Sequence, residues 1–234
     1  MVKAQNNLVR LCGRIINRYD KNNVSIVTLR ITEIVKGEKK VNNPVIYFFH
    51  SDETGVENFF LHDDVVITAH VATPRKYRNN GEEYISQALV GDTIAPRKRM
   101  YEILNIDGMG KGPLEPLMNE ITFSGTLTAI RKIGDKSAQI VVDTVNNGHR
   151  NVITANVASA DTFKMQIGDS VTVSGKIITG YYEQDEKGHI HRPKPNSNEK
   201  PTETQENKTS EDKPKMKRLY YQHILGLSIQ KCEN

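Results

Sequence analysis

Apolar residues recur at every second position through most of this chain. Val9, Leu11 and Ile15 alternate with polar neighbours, as do Val65, Ile67, Ala69 and Val71, and again Val171, Val173 and Ile177. A period of two predicts half-buried strands rather than helices. Bounded by Gly, Asn, Asp and Pro, the strands predicted for the first half are 7–18, 24–35, 43–50, 64–73 and 83–91. The second half gives 119–132, 137–145, 150–157, 170–182 and 218–230. Between the third and fourth strand of each half, 51–63 and 158–168 leave room for one or two helical turns. Val56, Phe59 and Phe60 are their apolar residues in the first half, and Phe163, Met165 and Ile167 in the second.

The pattern is written twice. Asn7-Leu8-Val9-Arg10-Leu11-Cys12-Gly13-Arg14-Ile15 is answered by Asn119-Glu120-Ile121-Thr122-Phe123-Ser124-Gly125-Thr126-Leu127, with Gly at the same step. Val45-Ile46 is answered by Val152-Ile153, and the run 65–71 by 171–177. Gln87-Ala88-Leu89-Val90-Gly91 is answered by Gln222-His223-Ile224-Leu225-Gly226. A repeat of this length is a duplicated domain. Five strands with a short helix between the third and fourth describe an OB-fold, a small Greek-key barrel. The sequence therefore predicts an all-β protein of two tandem five-stranded OB-fold barrels, at 1–96 and 117–234. A linker at 97–116 ends in Gly108-Met109-Gly110-Lys111-Gly112-Pro113. In the second half the connection between strands four and five is lengthened by 183–217. Its stretch 190–215 is so poor in large apolar groups that it reads as disordered.

Charge changes this picture little. The net charge is +4, and each half holds 16 basic and 14 acidic residues. That balance permits a polyanionic partner without demanding one. Cys12 and Cys232 read as free thiols, and no spacing suggests a metal site. The N-terminus lacks a signal-peptide pattern and no apolar run approaches a membrane span, so a cytoplasmic location without membrane association is expected.

Signatures of catalysis are missing: there is no nucleophile elbow, phosphate loop or Gly-rich dinucleotide turn. Neither an enzyme nor a cofactor is expected. Asp63 and Asp169, just before strand four of each half, read as turn formers. Cations and aromatic rings are well supplied instead. Arg10, Arg14 and Arg18 share one parity, and on a straight strand they face away from Val9, Leu11 and Ile15. The third strand carries Tyr47, Phe48 and Phe49. Since neighbours alternate faces, a core holding Tyr47 and Phe49 leaves only Phe48 exposed. The loop between strands four and five carries Arg75, Lys76, Tyr77 and Arg78. The second half offers Arg131, Lys132, Tyr181, Tyr182 and Tyr220, with Thr122 and Thr126 in place of Arg10 and Arg14. Guanidinium groups neutralise phosphates and ring faces stack bases, which is what an unpaired nucleic-acid strand requires. These residues are the candidate site, with the stronger affinity expected in the first half.

Three segments resemble a known family. Residues 7–15 resemble the first strand of bacterial and phage single-stranded DNA-binding proteins, Asn-x-Val-x-Leu-x-Gly-Arg-Leu. Ile167-Gly168-Asp169-Ser170-Val171-Thr172-Val173-Ser174-Gly175-Lys176-Ile177 resembles the family's fourth strand. Residues 179–188 resemble its Tyr-Glu hairpin with a Lys-Gly tip. The chain departs from the family in having no Trp and in ending on Gln230-Lys231-Cys232-Glu233-Asn234 directly after a strand. The resemblance implies sequence-tolerant, non-catalytic binding of single-stranded DNA in replication, recombination or repair, with replication proteins as candidate partners. Because the family uses four barrels per assembly, it also implies a homodimer. A replisome or primosome interaction module on diverged OB-folds, and an RNA-binding OB protein, are the alternative readings.

Lengthening a surface loop costs little closure entropy, about 0.6 kcal/mol per doubling. Deleting 194–214 and joining the ends by a short Gly/Ser turn should therefore leave the thermal melt unchanged. A variant that no longer folds would assign the segment to the barrel.

Overall fold

The computed structural model describes residues 6–50, 54–77, 81–98, 114–146, 148–185, 189–191 and 217–232. The centre of the expected linker, 99–113, and most of the stretch expected to be disordered, 192–216, lie outside these residues, as does Arg78. The elements in chain order are β1 (Asn7–Lys21), β2 (Val24–Val35), β3 (Glu38–Asn42), β4 (Val45–Phe49), β5 (Asp64–Ala72), β6 (Arg75–Tyr77), β7 (Glu83–Ile85) and β8 (Ala88–Pro96). They continue with β9 (Asn119–Gly134), β10 (Ser137–Asn146), β11 (His149–Val157), β12 (Ser170–Gln184), β13 (Ile190–His191) and β14 (Lys217–Lys231). Single 3-10 turns at Val56–Asn58 and Ala160–Lys164 precede β5 and β12.

The protein is all-β, and its hydrogen bonds close two rings. In the first, β1 pairs with β2 and β5, β2 with β4, β5 with β8, and β4 with β8 in parallel. In the second, β9 pairs with β10 and β12, β10 with β11, and β11 with β14 in parallel, while β12 and β14 are neighbours. Val9, Leu11, Ile15, Ile46, Phe48 and Ile67 fill the first ring, and Ile121, Phe123, Leu127, Ile140, Ile153 and Val173 the second, all essentially inaccessible to water.

Two compact units emerge. One holds residues 1–178 and 223–234, the other 179–222. Within the larger unit the repeats meet strand to strand. β1 and β9 pair antiparallel with Asn7 opposite Phe123, Val9 opposite Ile121 and Leu11 opposite Asn119. Since residue 7 corresponds to 119, 9 to 121 and 11 to 123, this ladder has an internal two-fold centre at Val9–Ile121. Its flanking bonds obey the same symmetry: Cys12 N–H donates to the Met118 carbonyl and Ser124 N–H to the Asn6 carbonyl. Thr73 and Gln87 add to the join. The Thr73 hydroxyl accepts from Val152 N–H at 2.9 Å, and the Gln87 amide donates to the Thr154 carbonyl at 3.1 Å.

The repeated residues do the same work in both rings. Asn7 donates to the Val71 carbonyl (2.7 Å) and accepts from Val71 N–H (3.0 Å). Asn119 does so with Ile177 at 2.8 and 2.9 Å. Asp63 accepts from Phe60 N–H and Asp169 from Gln166 N–H, which makes both the turn formers expected of them. The shared glycine step is a close approach of backbones. A methyl group on Gly13 would lie 2.7 Å from the Arg30 carbonyl oxygen, and one on Gly125 would strike the Asp143 carbonyl. Cys12 is buried, and burial pushes its thiol pKa up, so it remains an unreactive packing group.

Three sequence expectations are corrected. The strand expected at 83–91 is two elements. β7 forms a small hairpin with β6, and the ring strand β8 starts at Ala88, after Gln87 turns to the β11 backbone. The chain from 38 to 42 is a strand paired with β2 through a tight turn, where Lys36 and Gly37 take φ of 53° and 81°. The third strands also correspond differently. β4 pairs Ile46 with Leu89, and β11 pairs Ala155 with Ile224, so Ile46 corresponds to Ala155 and not to Ile153. A slip of two residues keeps every side chain on its face, so alternation cannot reveal it.

Replacing Asn7 or Asn119 with Leu would strand a buried backbone N–H and carbonyl on the fourth strand. Each substitution should cost about 2–4 kcal/mol, read as a comparable fall in Tm for the two variants. A melt like that of the parent protein would show that the amide closes nothing.

Candidate nucleic-acid interface

The face presented by the first ring depends on a bulge in β1. Arg14 pairs with Arg30 and Ile15 with Leu29, but the next partner of β2 is Asn17, so residue 16 is extra. An extra residue reverses the inside–outside alternation beyond it. Arg18 therefore falls opposite buried Val27 and Tyr19 opposite Ile26. The straight-strand expectation for Arg18 is corrected accordingly. Its side chain is 12% exposed, its guanidinium donates to the Val56 carbonyl at 3.0 Å and to that of Phe59, and it ion-pairs with Asp20 at 3.0 Å. Arg18 pins the 3-10 turn against the ring end.

Phe48 is corrected too. It is fully buried, and its ring fills the space above Gly91 that a Cβ there would need. Tyr47 is half-buried and Phe49 is 57% exposed. Directly paired residues share a face of a sheet. Tyr19, Ile26, Tyr47 and Val90 thus form one row across β1, β2, β4 and β8, and Lys21, Val24 and Phe49 form the next. Tyr19 and Tyr47 stand two strands apart, roughly 9–10 Å. On the other side of the tyrosine row, four residues or about 13 Å along β2, Asp64, Arg14 and Arg30 line up across β5, β1 and β2. Arg14 and Asp64 form a two-pronged ion pair, Nη2–Oδ2 at 2.8 Å and Nε–Oδ1 at 3.2 Å. Arg30 is exposed and makes no ion pair with a described residue. This face can stack bases on rings and hold phosphates at either end.

Sequence reasoning missed Tyr19, Lys21 and Arg30, and weighed Phe49 as a core residue where it is exposed. The Asn22-Asn23 turn was a usable signal: counting back from it puts Lys21 against Val24 and Tyr19 against Ile26.

The remaining candidates are dispersed. Arg10 is exposed on β1 opposite Glu120. Arg75 is 75% exposed, with Nε 3.3 Å from a Glu83 oxygen, and Lys76 is exposed beside it. Tyr77 pairs with Glu83 through the backbone. In the second ring the row matching the tyrosine row is Arg131, Gln139, Asn156 and Leu225, with Arg131 and Asn156 where the first has Tyr19 and Tyr47. Lys132 lies 3.7 Å from Asp135 and 5.7 Å from the Phe163 ring centre.

The smaller unit, 179–222, has tyrosines on both faces of its sheet. Tyr181 and Tyr220 sit with ring centres 6.0 Å apart and Tyr182 and Tyr221 with centres 4.8 Å apart. Tyr220 is 77% exposed, and the Arg218 guanidinium lies 4.8 Å from the Tyr181 ring centre. Among the described residues, no group of three or more His, Cys, Asp or Glu side chains is arranged to hold a metal ion, and no helix is long and apolar enough to cross a membrane.

No family model matches the sequence, and no curated protein sequence does. Solved structures do match. A deletion variant of the single-stranded DNA-binding protein from Thermus aquaticus aligns with a TM-score of 0.56 at 11% identity, covering 97% of this chain and 95% of that one. The wild-type protein from the same organism aligns with a TM-score of 0.54 at 10% identity, covering 97% and 93%. Over nearly its whole length, the chain has the fold of these single-stranded DNA-binding proteins.

Proposed function

We propose that this protein binds single-stranded DNA with little sequence preference, as a non-catalytic factor in DNA replication, recombination or repair. The observation that carries this reading is the outer face of the first ring, where Tyr19 and Tyr47 lie between Arg14 and Arg30 at one end and the row of Lys21 and Phe49 at the other. Rings on a sheet offer every base a stacking surface, and the flanking cations offer contacts to its phosphates; neither reads sequence. The fold shared with proteins described as single-stranded DNA-binding supports the same function. Tyr181, Tyr182 and Tyr220 with Arg218 supply a second stacking element of the same chemistry. The polar row of the second ring leaves it backbone contacts through Arg131 and Lys132, so we assign it the lower affinity. The two repeats act as OB domains at 1–96 and 117–234, Arg10, Arg75, Lys76, Tyr77 and Arg78 extend the contact surface, and two chains associate as a homodimer in the cytoplasm.

Titrating a labelled dT oligonucleotide, an rU oligonucleotide and a duplex at two salt concentrations tests the function. Tight binding to dT with weak binding to duplex is expected; preference for duplex or for rU would replace the reading. Tyr19→Ala and Tyr47→Ala should each lose about 1–3 kcal/mol of binding energy, with the salt slope nearly unchanged. Arg18→Ala should do the opposite, lowering Tm while leaving DNA affinity within about twofold, because its donors are spent on the 3-10 turn.

A further inference from the structure

The cations of the candidate face are not equally available. Arg14 and Arg30 stand directly opposite each other on adjacent strands. Like charges so placed repel. The neighbour of Arg14 on its other side is Asp64, at the start of β5, whose two carboxylate oxygens each accept from the Arg14 guanidinium, at 3.2 and 2.8 Å. Arg14 remains 57% exposed and Asp64 26% exposed. The pair is therefore reachable by solvent, and water and salt screen the attraction between its partners. Asp64 presents Arg14 with two anionic oxygens side by side, as the non-bridging oxygens of a phosphodiester also would.

We propose that Asp64 is an internal competitor for phosphate: it occupies Arg14 in the free protein and is displaced from it when a single strand crosses the face between Arg14 and Tyr19. The proposal rests on the single-strand-binding reading above and names a regulating residue within that same site. Bound to Asp64, Arg14 organises little of the salt atmosphere of the free protein, and its transfer to phosphate exchanges one anion for another. Asp64 also offsets the Arg14–Arg30 repulsion that an empty face would otherwise carry. Its carboxylate lowers the positive potential of the face and so weakens the grip on any polyanion.

Single ion contacts between an arginine and a carboxylate also occur at Arg75, 3.3 Å from Glu83, and in the smaller unit at Arg218, 3.9 Å from Glu183. They match the near balance of 32 basic and 28 acidic residues in the chain. Binding of this kind depends on stacking more than on charge and persists as salt rises.

The test is the full-length Asp64→Asn variant, which keeps the shape of the side chain and removes its charge. Binding of a fluorescent dT oligonucleotide is measured across a series of salt concentrations. The variant should bind about threefold to tenfold tighter at low salt, with a steeper plot of log K against log salt, because no freed carboxylate is left to recapture a cation when Arg14 reaches phosphate. Adding Arg14→Gln to Asp64→Asn should abolish the gain, whereas Arg14→Gln alone should weaken the parent protein by less than it weakens the Asp64→Asn variant. Asp64→Ser provides the same comparison should the Asn variant melt early. Unchanged or weaker binding by both Asp64 variants, with an unchanged salt slope, would overturn the competitor role while leaving the site intact. Failure of the parent protein to bind dT at any salt would overturn both the role and the functional reading beneath it.

Discussion

Ring closure through a single strand is the constraint on which the rest of this structure depends. β1 pairs with β5 along residues 9–14 and with β2 along 14–21, and it also meets β9 along 7–11. A strand that serves two sheets must bend sharply, and two devices in β1 permit it. Gly13 admits the Arg30 carbonyl where a side chain would collide, and the extra residue at position 16 adds twist. β9 repeats both, with Gly125 against Asp143 and an irregularity opposite Val141–Val142. The bend closes the barrel around Ile15 and Leu127, and it also determines which side chains face outward beyond it.

The bulge links architecture to chemistry. By reversing the alternation it carries Arg18 inward, where the guanidinium spans the carbonyls of the 3-10 turn, and carries Tyr19 outward into line with Tyr47. A straight strand would have given the face another arginine and removed a ring. The duplicate bulge in β9 has a different consequence, because the residue it turns outward is Arg131 and its row continues through Gln139 and Asn156. One backbone thus carries an aromatic surface in the first repeat and a polar one in the second. The core alternation is the same in both repeats, while the outward positions, which packing does not constrain, differ.

The join between the repeats follows from the same economy. A strand whose edge is open along 7–11 invites a partner, and the partner here is the corresponding strand of the second repeat, centred on Val9–Ile121. A two-fold ladder between equivalent segments has the self-complementary character of an interface between identical subunits. Thr73 and Gln87 then satisfy backbone groups of β11. These bonds come from the first repeat and fix the two rings within one compact unit.

The sequence determined the strands, their doubling and the residues that shape the turns. Alternation of Val, Ile and Leu is a local property and survives in any packing. The paired Asn7 and Asn119, Gly13 and Gly125, and Asp63 and Asp169 have paired roles because each answers the same backbone need in both rings, across strands for Asn and Gly and within a turn for Asp. Tertiary structure alone decided the face. Whether Phe48 or Phe49 turns outward depends on which neighbours β4 acquires, and a hydrophobic run of three aromatics fits either choice. The bulge leaves no mark in a run such as Gly13-Arg14-Ile15-Ile16-Asn17-Arg18, so the fate of Arg18 and Tyr19 is legible only by counting back from the Asn22-Asn23 turn. The two-residue offset of β11 was hidden for a related reason: a period of two is unchanged by a shift of two. The meeting of Arg14 with Asp64, fifty positions apart, exists only once β5 lies beside β1, since it is pairing between distant strands that brings opposite charges onto one face.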